Sequence, residues 1–350
     1  MGWPSAICLR KARGDSGQKE APPDDIQKGF ESMKCLRQSE PFSTLLVLSL
    51  ASMAVWSSAA LASAPVIRRV VRAQSEPSRS GGTETDAADL KGSTNVRAVN
   101  LGPWIIGHRG SSIKAPENTL ASFKLAAEEG ADLIELDVHA CKDGQIVVIH
   151  DDTVDRTSDG RGPIAGMTLA QALKLDFSKG ADPKYRGERI PTLVQVCRWA
   201  KSVRKGLLVE IKVSSKKNSS FAANVVQTLE AEGMLGQSIV QSFDKGSLAQ
   251  ARSSNPDVRL GLLSSKPVQD TFNLQVWQFG LGYSSLKAAD VDLLHNLGRR
   301  VFVWTVDKTV DMQAMIRMST DGIITDRPDR LRDLIAKLGY SRRPWPPSGQ

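Results

Sequence analysis

Eight short runs of apolar or β-branched residues recur between positions 101 and 340, at 104–107, 133–138, 207–212, 239–243, 258–263, 276–280, 301–306 and 322–325. Helical patterns fall between most of them, at 119–129, 193–203, 221–232, 245–253, 288–297 and 312–318, with a last one at 330–338. Strands joined through helices run parallel, because a parallel pair needs a crossover connection. Eight such units in about 240 residues match a (β/α)8 barrel of the TIM type in number and size. An open doubly wound sheet is the structural alternative, but no G-x-G-x-x-G follows the first run. The pattern therefore predicts one α/β barrel domain over 101–340, a tail at 341–350 and a separate N-terminal hundred residues.

Composition agrees with a globular core and removes other classes. Hydrophobic residues make up 41% and charged residues 24% of the 350, with 28 Gly and 17 Pro, which excludes collagen-like, coiled-coil and wholly disordered chains. The net charge of +8 is diffuse: 13 basic and 10 acidic residues lie in the first hundred positions, 33 and 28 in the rest. With no zinc-finger spacing and no arginine-rich helix, nucleic acid is not an expected partner. Cys8, Cys35, Cys141 and Cys197 form no CxxC motif and are too few for a disulfide framework.

Residues 1–41 and 73–96 carry too little apolar surface to offset their ordering entropy, and they read as disordered. Between them, an apolar stretch over 45–56 is followed by small residues that include Ala62 and Ala64, an A-x-A-like cleavage site, and preceded by Met33, Lys34 and Arg37. This is the arrangement of a secretory signal peptide over about 33–64, with translation starting at Met33. It puts the mature chain outside the cytoplasm, secreted or periplasmic. The alternatives are an organelle-targeting segment or an uncleaved membrane anchor, since the 20 residues at 45–64 just reach across a bilayer, although five serines weaken that reading.

Chemistry concentrates at predicted strand ends, where a barrel of this type places its active site. His108 and Arg109 follow the first run within Gly107-His108-Arg109-Gly110, and Glu117, Asn118 and Thr119 follow closely. Arginine suits bidentate phosphate contact, so His beside Arg points to phosphate esters. The plain alternative is that Asn118 or Thr119 caps a helix and Arg109 pairs with Glu117. In Glu135-Leu136-Asp137-Val138-His139, alternation along a strand aims Glu135 and Asp137 the same way. Two such carboxylates repel unless a cation lies between them, and oxygen donors favour Mg²⁺ or Ca²⁺; the alternative is a buried salt bridge to Lys or Arg. His139 is assigned a supporting or surface place and His295 a structural one. His150 ends a run at 146–149 that the Asp143-Gly144 turn can fold back beside the second strand. Glu210 and Lys212 share one face of the third strand, the first a third carboxylate for the cation and the second a phosphate-charge partner, unless they are an ordinary ion pair.

Together with Gln241-Ser242-Phe243, Val303-Trp304-Thr305 and Asp321-Gly322-Ile323-Ile324-Thr325-Asp326, these motifs occur in an order that resembles the glycerophosphodiester phosphodiesterase family over residues 103–338. The resemblance implies a barrel of the phosphatidylinositol phospholipase C-like phosphodiesterase type that hydrolyses glycerophosphodiesters to sn-glycerol 3-phosphate and an alcohol. It places the family's catalytic histidines on His108 and His150, its metal carboxylates on Glu135, Asp137 and Glu210, and its phosphate contacts on Arg109 and Lys212. Glu117 and Trp304 match its remaining pocket positions. The expected partner is a small-molecule substrate, with membrane association through residues 45–64 if they stay attached. A lysophospholipase D-like activity at a membrane and a noncatalytic phosphodiester-binding barrel are the competing functions.

Overall fold

The computed structural model describes residues 100–212, 220–267, 269–272 and 274–347; the signal segment at 33–64, Cys8 and Cys35 lie outside them. The nine strands are β1 (Trp104–Gly107), β2 (Leu133–Ala140), β3 (Ile146–Val148), β4 (Gly206–Ile211), β5 (Ser238–Ser242), β6 (Arg259–Ser264), β7 (Gln278–Gly282), β8 (Arg300–Trp304) and β9 (Gly322–Thr325). The helices are α1 (Leu120–Glu128), α2 (Leu169–Ala172), α3 (Leu193–Ser202), α4 (Phe221–Ala231), α5 (Lys245–Ser254), α6 (Ala288–Asn296), α7 (Thr309–Arg317) and α8 (Pro328–Lys337). Eight parallel strands close into a barrel, with β1 paired to both β2 and β9. β3 is the exception: it runs antiparallel to the end of β2, pairing Val138 with Val148, and so takes the edge of β2 beyond the reach of β1.

The expected barrel is present, and the run at 146–149 folds back as the Asp143-Gly144 turn predicts. Several boundaries move by two or three residues, two of them at element starts that matter here. The expected strand at 276–280 begins instead at Gln278; Trp277 packs on the lower barrel before the strand starts, and Val276 packs in the layer between sheet and helices. The helix expected at 312–318 begins a turn earlier, at Thr309. Helix starts follow their caps: Thr119 accepts from Ser122 N, Thr192 forms a capping box with Gln195, and Asp244 accepts from Ser247 N. Among the described residues no helix is long and apolar enough to cross a membrane.

Alternation along each strand divides the core in two. Ile105, Ile134, Leu136, Val209 and Ile323 face outward into the layer between sheet and helices. Trp104, Ile106, Leu133, Leu208, Ile239 and Phe302 face inward and fill the lower barrel. The chain beyond α8 returns to seal this end: Trp345 packs edge-on to Trp104 at 5.3 Å, and Trp104 Nε1 donates to the Pro344 carbonyl at 3.0 Å. Close packing also dictates glycine inside the barrel, since a Cβ on Gly261 would collide with Gln278. With the lower barrel filled, the barrel interior opens only at the opposite end, where the inward positions become polar.

Candidate active site

β2 and β4 lie side by side with Asp137 opposite Glu210. Inward-facing Glu135, Asp137 and Glu210 therefore meet at the barrel's C-terminal mouth, with ligand oxygens within 4.8 Å of one another and exposures of 2%, 1% and 8%. Lys212 Nζ reaches Glu210 at 2.6 Å and Asp137 at 2.9 Å, and Arg109 Nε lies 3.3 Å from Asp137. Asp137 thus belongs both to a carboxylate cluster and to a buried ion pair. Glu135 is left with a single backbone donor, Arg109 N–H at 2.9 Å.

That imbalance sets the site's electrostatics. Burial and the neighbouring Asp137 push the Glu135 carboxyl up to about 8. Burial and Asp137 also raise Glu210, against the pull of Lys212. Burial acts the same way on Asp137, but Lys212 and Arg109 outweigh it and bring its pKa down. A lone proton satisfies this trio poorly, whereas a hard divalent cation fits its donor set of three buried carboxylates.

The turn after β1 is built to present donors. Arg109 and Asn118 adopt left-handed backbone conformations, at φ of 55° and 56°, costing about 1–2 kcal/mol each. Gly110 shares the left-handed region and lies so close to α1 that a Cβ would collide with Ser122. In return Arg109 N–H points at Glu135, and Asn118 Nδ2 donates to Asp137 at 2.9 Å. Thr119 caps α1 and Arg109 Nη1 pairs with Glu117 at 2.8 Å. The simpler structural reading of this turn is therefore also correct, but the same residues hold the carboxylate cluster.

His108 and His150 both face the mouth. His108 Nδ1 donates to Asp326 at 2.6 Å, and His150 Nδ1 donates to Asp151 at 2.7 Å. Burial lowers the His108 pKa, but the Asp326 bond and the nearby Glu135 outweigh it, so the net shift is upward. Burial dominates for His150, and its pKa falls. Arg156 closes the rim, bonding Glu117 at 2.6 Å and Asp151 at 2.7 Å. Buried His139 donates from Nε2 to the His150 carbonyl at 3.1 Å and so supports that strand end. His295 lies at the other end of the barrel, bonded to Asp321.

Seven of the nine expected site residues, namely His108, Arg109, Glu135, His150, Glu210, Lys212 and Trp304, line one cavity of about 220 Å³. Asp137 lies beneath it, and Glu117 buttresses Arg109 and Arg156 from behind. Gln241, Phe243, Leu263, Thr305 and Ile324 complete the wall. Two buried donors here, Arg109 Nε and Trp304 Nε1, have no hydrogen-bond acceptor in the protein. Sequence reasoning assigned no role to Asp326 or Asp151 and did not single out Arg156. Asp326 had a usable signal: in a closed barrel the residue after the last strand neighbours the residue after the first. Arg156 lies in an irregular loop and had none.

Guanidinium and ammonium groups for an anion and two imidazoles for protons suit a hydrolase acting on phosphodiesters. Residues 108–330 match the glycerophosphoryl diester phosphodiesterase family, and the chain belongs to it as an enzyme of that activity. It is 36% identical over 239 residues to a glycerophosphodiester phosphodiesterase of Caldanaerobacter subterraneus, covering 67% of this chain and 98% of that one. The fold superposes with a TM-score of 0.64 on an Oleispira antarctica phosphodiesterase solved with the product sn-glycerol-3-phosphate, at 28% identity over 67% of this chain and 97% of the other. A glycerophosphodiester phosphodiesterase from Agrobacterium tumefaciens gives 0.60 at 26% identity, covering 66% and 99%.

Proposed function

We propose that the enzyme cleaves glycerophosphodiesters to sn-glycerol 3-phosphate and an alcohol, with His108 and His150 as its acid–base pair and a divalent cation, Mg²⁺ or Ca²⁺, held by Glu135, Asp137 and Glu210. The observation that carries this reading is the placement of two histidines, each pinned through Nδ1 by its own carboxylate, beside one buried carboxylate trio. When bound, the cation supplies positive charge to the phosphoryl oxygens and offsets the mutual repulsion of the trio. Arg109, held by Glu117 and Asp137, and Trp304, through its buried and unpartnered Nε1, read the phosphodiester as donors. Lys212 adds a third positive group to the pocket.

Each histidine is pinned through Nδ1 by its own carboxylate, and the opposed directions of their pKa shifts suit them to opposite roles. His150, pushed toward the neutral form, takes the proton of the attacking oxygen, which belongs either to water or to the substrate's own 2-hydroxyl, the latter route giving a cyclic phosphate that water then opens to glycerol phosphate. As the new P–O bond forms, the ester P–O bond to the alcohol breaks. His108, pushed toward the protonated form, gives its proton to the departing alkoxide. Glu117 acts one step back, holding Arg109 in place.

A lysophospholipase D-like reading has one observation in its favour: half-exposed Phe243 stacks edge-on to Trp304 at 5.7 Å and extends the apolar lip. The cavity of about 220 Å³ accommodates a glycerophosphate unit better than an acyl chain, and we keep the first reading. Release of glycerol 3-phosphate from a panel of glycerophosphodiesters and lysophospholipids, with and without chelator, tests both. Turnover of lysophospholipids alone would overturn the substrate assignment.

We also propose that residues 33–64 direct the chain out of the cytoplasm and are removed, leaving the barrel domain behind a linker. N-terminal sequencing of the native protein should read from near Pro65. An intact segment at 45–64 would establish the anchor instead.

A further inference from the structure

A second concavity lies at the N-terminal end of the barrel, below β6, β7 and β8 and sealed off from the mouth by the aromatic lower core. It encloses about 620 Å³, and its walls include Arg252, Arg259, Arg299, Gln275 and Trp277. The three arginines are partly buried, and among the described residues none has a carboxylate within 4.0 Å. Each turns one nitrogen to a neutral acceptor: Arg252 to the Pro256 carbonyl, Arg259 to the Gly236 carbonyl at 2.6 Å and Arg299 to Gln275 Oε1 at 2.8 Å. Arg299 Nε is buried with no partner at all. The one acidic residue on the wall, Asp257, is exposed at the rim and bonds none of them. Arg259 also lies over the Trp277 ring, 5.9 Å from its centroid.

Uncompensated guanidiniums gathered on one concave wall are unfavourable unless an anion joins them. Burial holds Arg259 below the ordinary guanidinium value, and no anionic neighbour offsets it. Three forks offering spare N–H donors match the several oxygens of a dianion better than a monoanionic carboxylate. The Trp277 face supplies an apolar floor beside that charge. We propose that this groove binds a phosphomonoester dianion, with the phosphate on Arg252, Arg259 and Arg299 and the organic part against Trp277. The site is separate from the active site and does not depend on the reaction assigned there.

The phosphate could come from a soluble organic phosphate or from a phosphomonoester lipid headgroup, and the test separates them. Phenyl phosphate titrated calorimetrically into the full chain should bind twice, once at the mouth and once at the groove. Arg252→Gln with Arg299→Gln should weaken the groove event about tenfold or more, as expected for lost charge-assisted hydrogen bonds, and leave kcat and KM unchanged. The Lys pair at the same positions should retain binding. If the Gln pair does not fold, Arg299→Gln alone, which gives up one amide contact, serves in its place. Cosedimentation with phosphatidylcholine vesicles containing phosphatidic acid, lost in the Gln variant, would assign the lipid source. Binding of phenyl phosphate without vesicle capture would assign the soluble one. A single binding event, competitive with substrate and unchanged in the variants, would overturn the proposal.

Discussion

At the C-terminal mouth of the barrel Asp137 and Glu210 take Arg109 and Lys212 and leave Glu135 without a cationic side chain; at the N-terminal end one carboxylate, Asp321, takes three cations for itself. Asp321 is 2% exposed and accepts from His295 at 2.8 Å, Arg343 at 2.8 Å, Arg300 at 3.1 Å and Val301 N–H at 2.9 Å. Around it lie the edge-on aromatics of the filled lower barrel. Glu135, just as buried, has one backbone donor and no cationic side chain within hydrogen-bonding distance. The difference teaches where each charge serves. A saturated buried anion rigidifies the fold, whereas an undersaturated one keeps affinity in reserve for a ligand.

If that contrast is right, perturbations at the mouth should cost rate and those at the base should cost stability. The largest effect is expected from chelation: removing divalent cations should abolish turnover, and returning Mg²⁺ or Ca²⁺ should restore it. Full activity in a metal-free preparation would show that the trio does not hold a required cation. Next, His108→Ala and His150→Ala should each lower kcat by about 10² to 10⁴ with the fold intact. A p-nitrophenyl leaving group needs no proton, so it should rescue the His108 variant and not the His150 variant. Equal response of both variants to that substrate would refute the division of roles.

At the base the cost should move to stability. Asp321→Asn strands Arg300 and Arg343 and should cost about 2–3 kcal/mol, less than a fully buried pair because both arginines are partly solvated. That lowers Tm by about 5–10 °C in a barrel of this size. The kcat of the folded fraction should not change, and a fall in kcat without a fall in Tm would break the comparison. At the rim, Arg156→Ala should lower kcat about tenfold by releasing Asp151 from its clamp. It should also leave a full negative charge against His150 Nδ1, raise the imidazole pKa and move the acid limb of the kcat/KM profile to higher pH. A purely structural role for Arg156 would leave that limb in place.

Period and parity made much of this legible in advance. Eight apolar runs between helical patterns led to the barrel, and a side-chain period of two put Glu135 and Asp137 on one face. The sequence offered Glu210 as a third carboxylate on its own strand, and although β3 and α3 intervene, the β2–β4 register brings it opposite Asp137. Sequence order hid Asp326, which reaches His108 across 218 positions through barrel closure. Arg156 was hidden for another reason, since it acts from a loop with no periodicity to place it. The shifted start of β7 shows the converse error: Val276 and Trp277 have strand-like composition but serve as packing, Trp277 on the lower barrel and Val276 between sheet and helices.

The smallest expected effect tests the base at its most exposed member. His295 bonds Asp321 through Nε2, and that bond raises its pKa above the ordinary value while partial burial pulls the other way. A histidine whose folded pKa lies above its unfolded value of about 6.5 contributes stability that is fully present below that pH and lost as pH rises through the folded pKa. The side chain is one-third exposed, so solvent screening limits the charge contribution to about 1 kcal/mol or less. His295→Gln keeps a donor to Asp321 but cannot charge. Thermal unfolding of native and variant proteins should therefore differ most near pH 5.5 and converge above pH 8, with activity at each pH unaffected. A gap that stays constant from pH 5.5 to pH 8 would mean that His295 acts through packing alone, and that the base is held together by its arginines without help from the imidazolium.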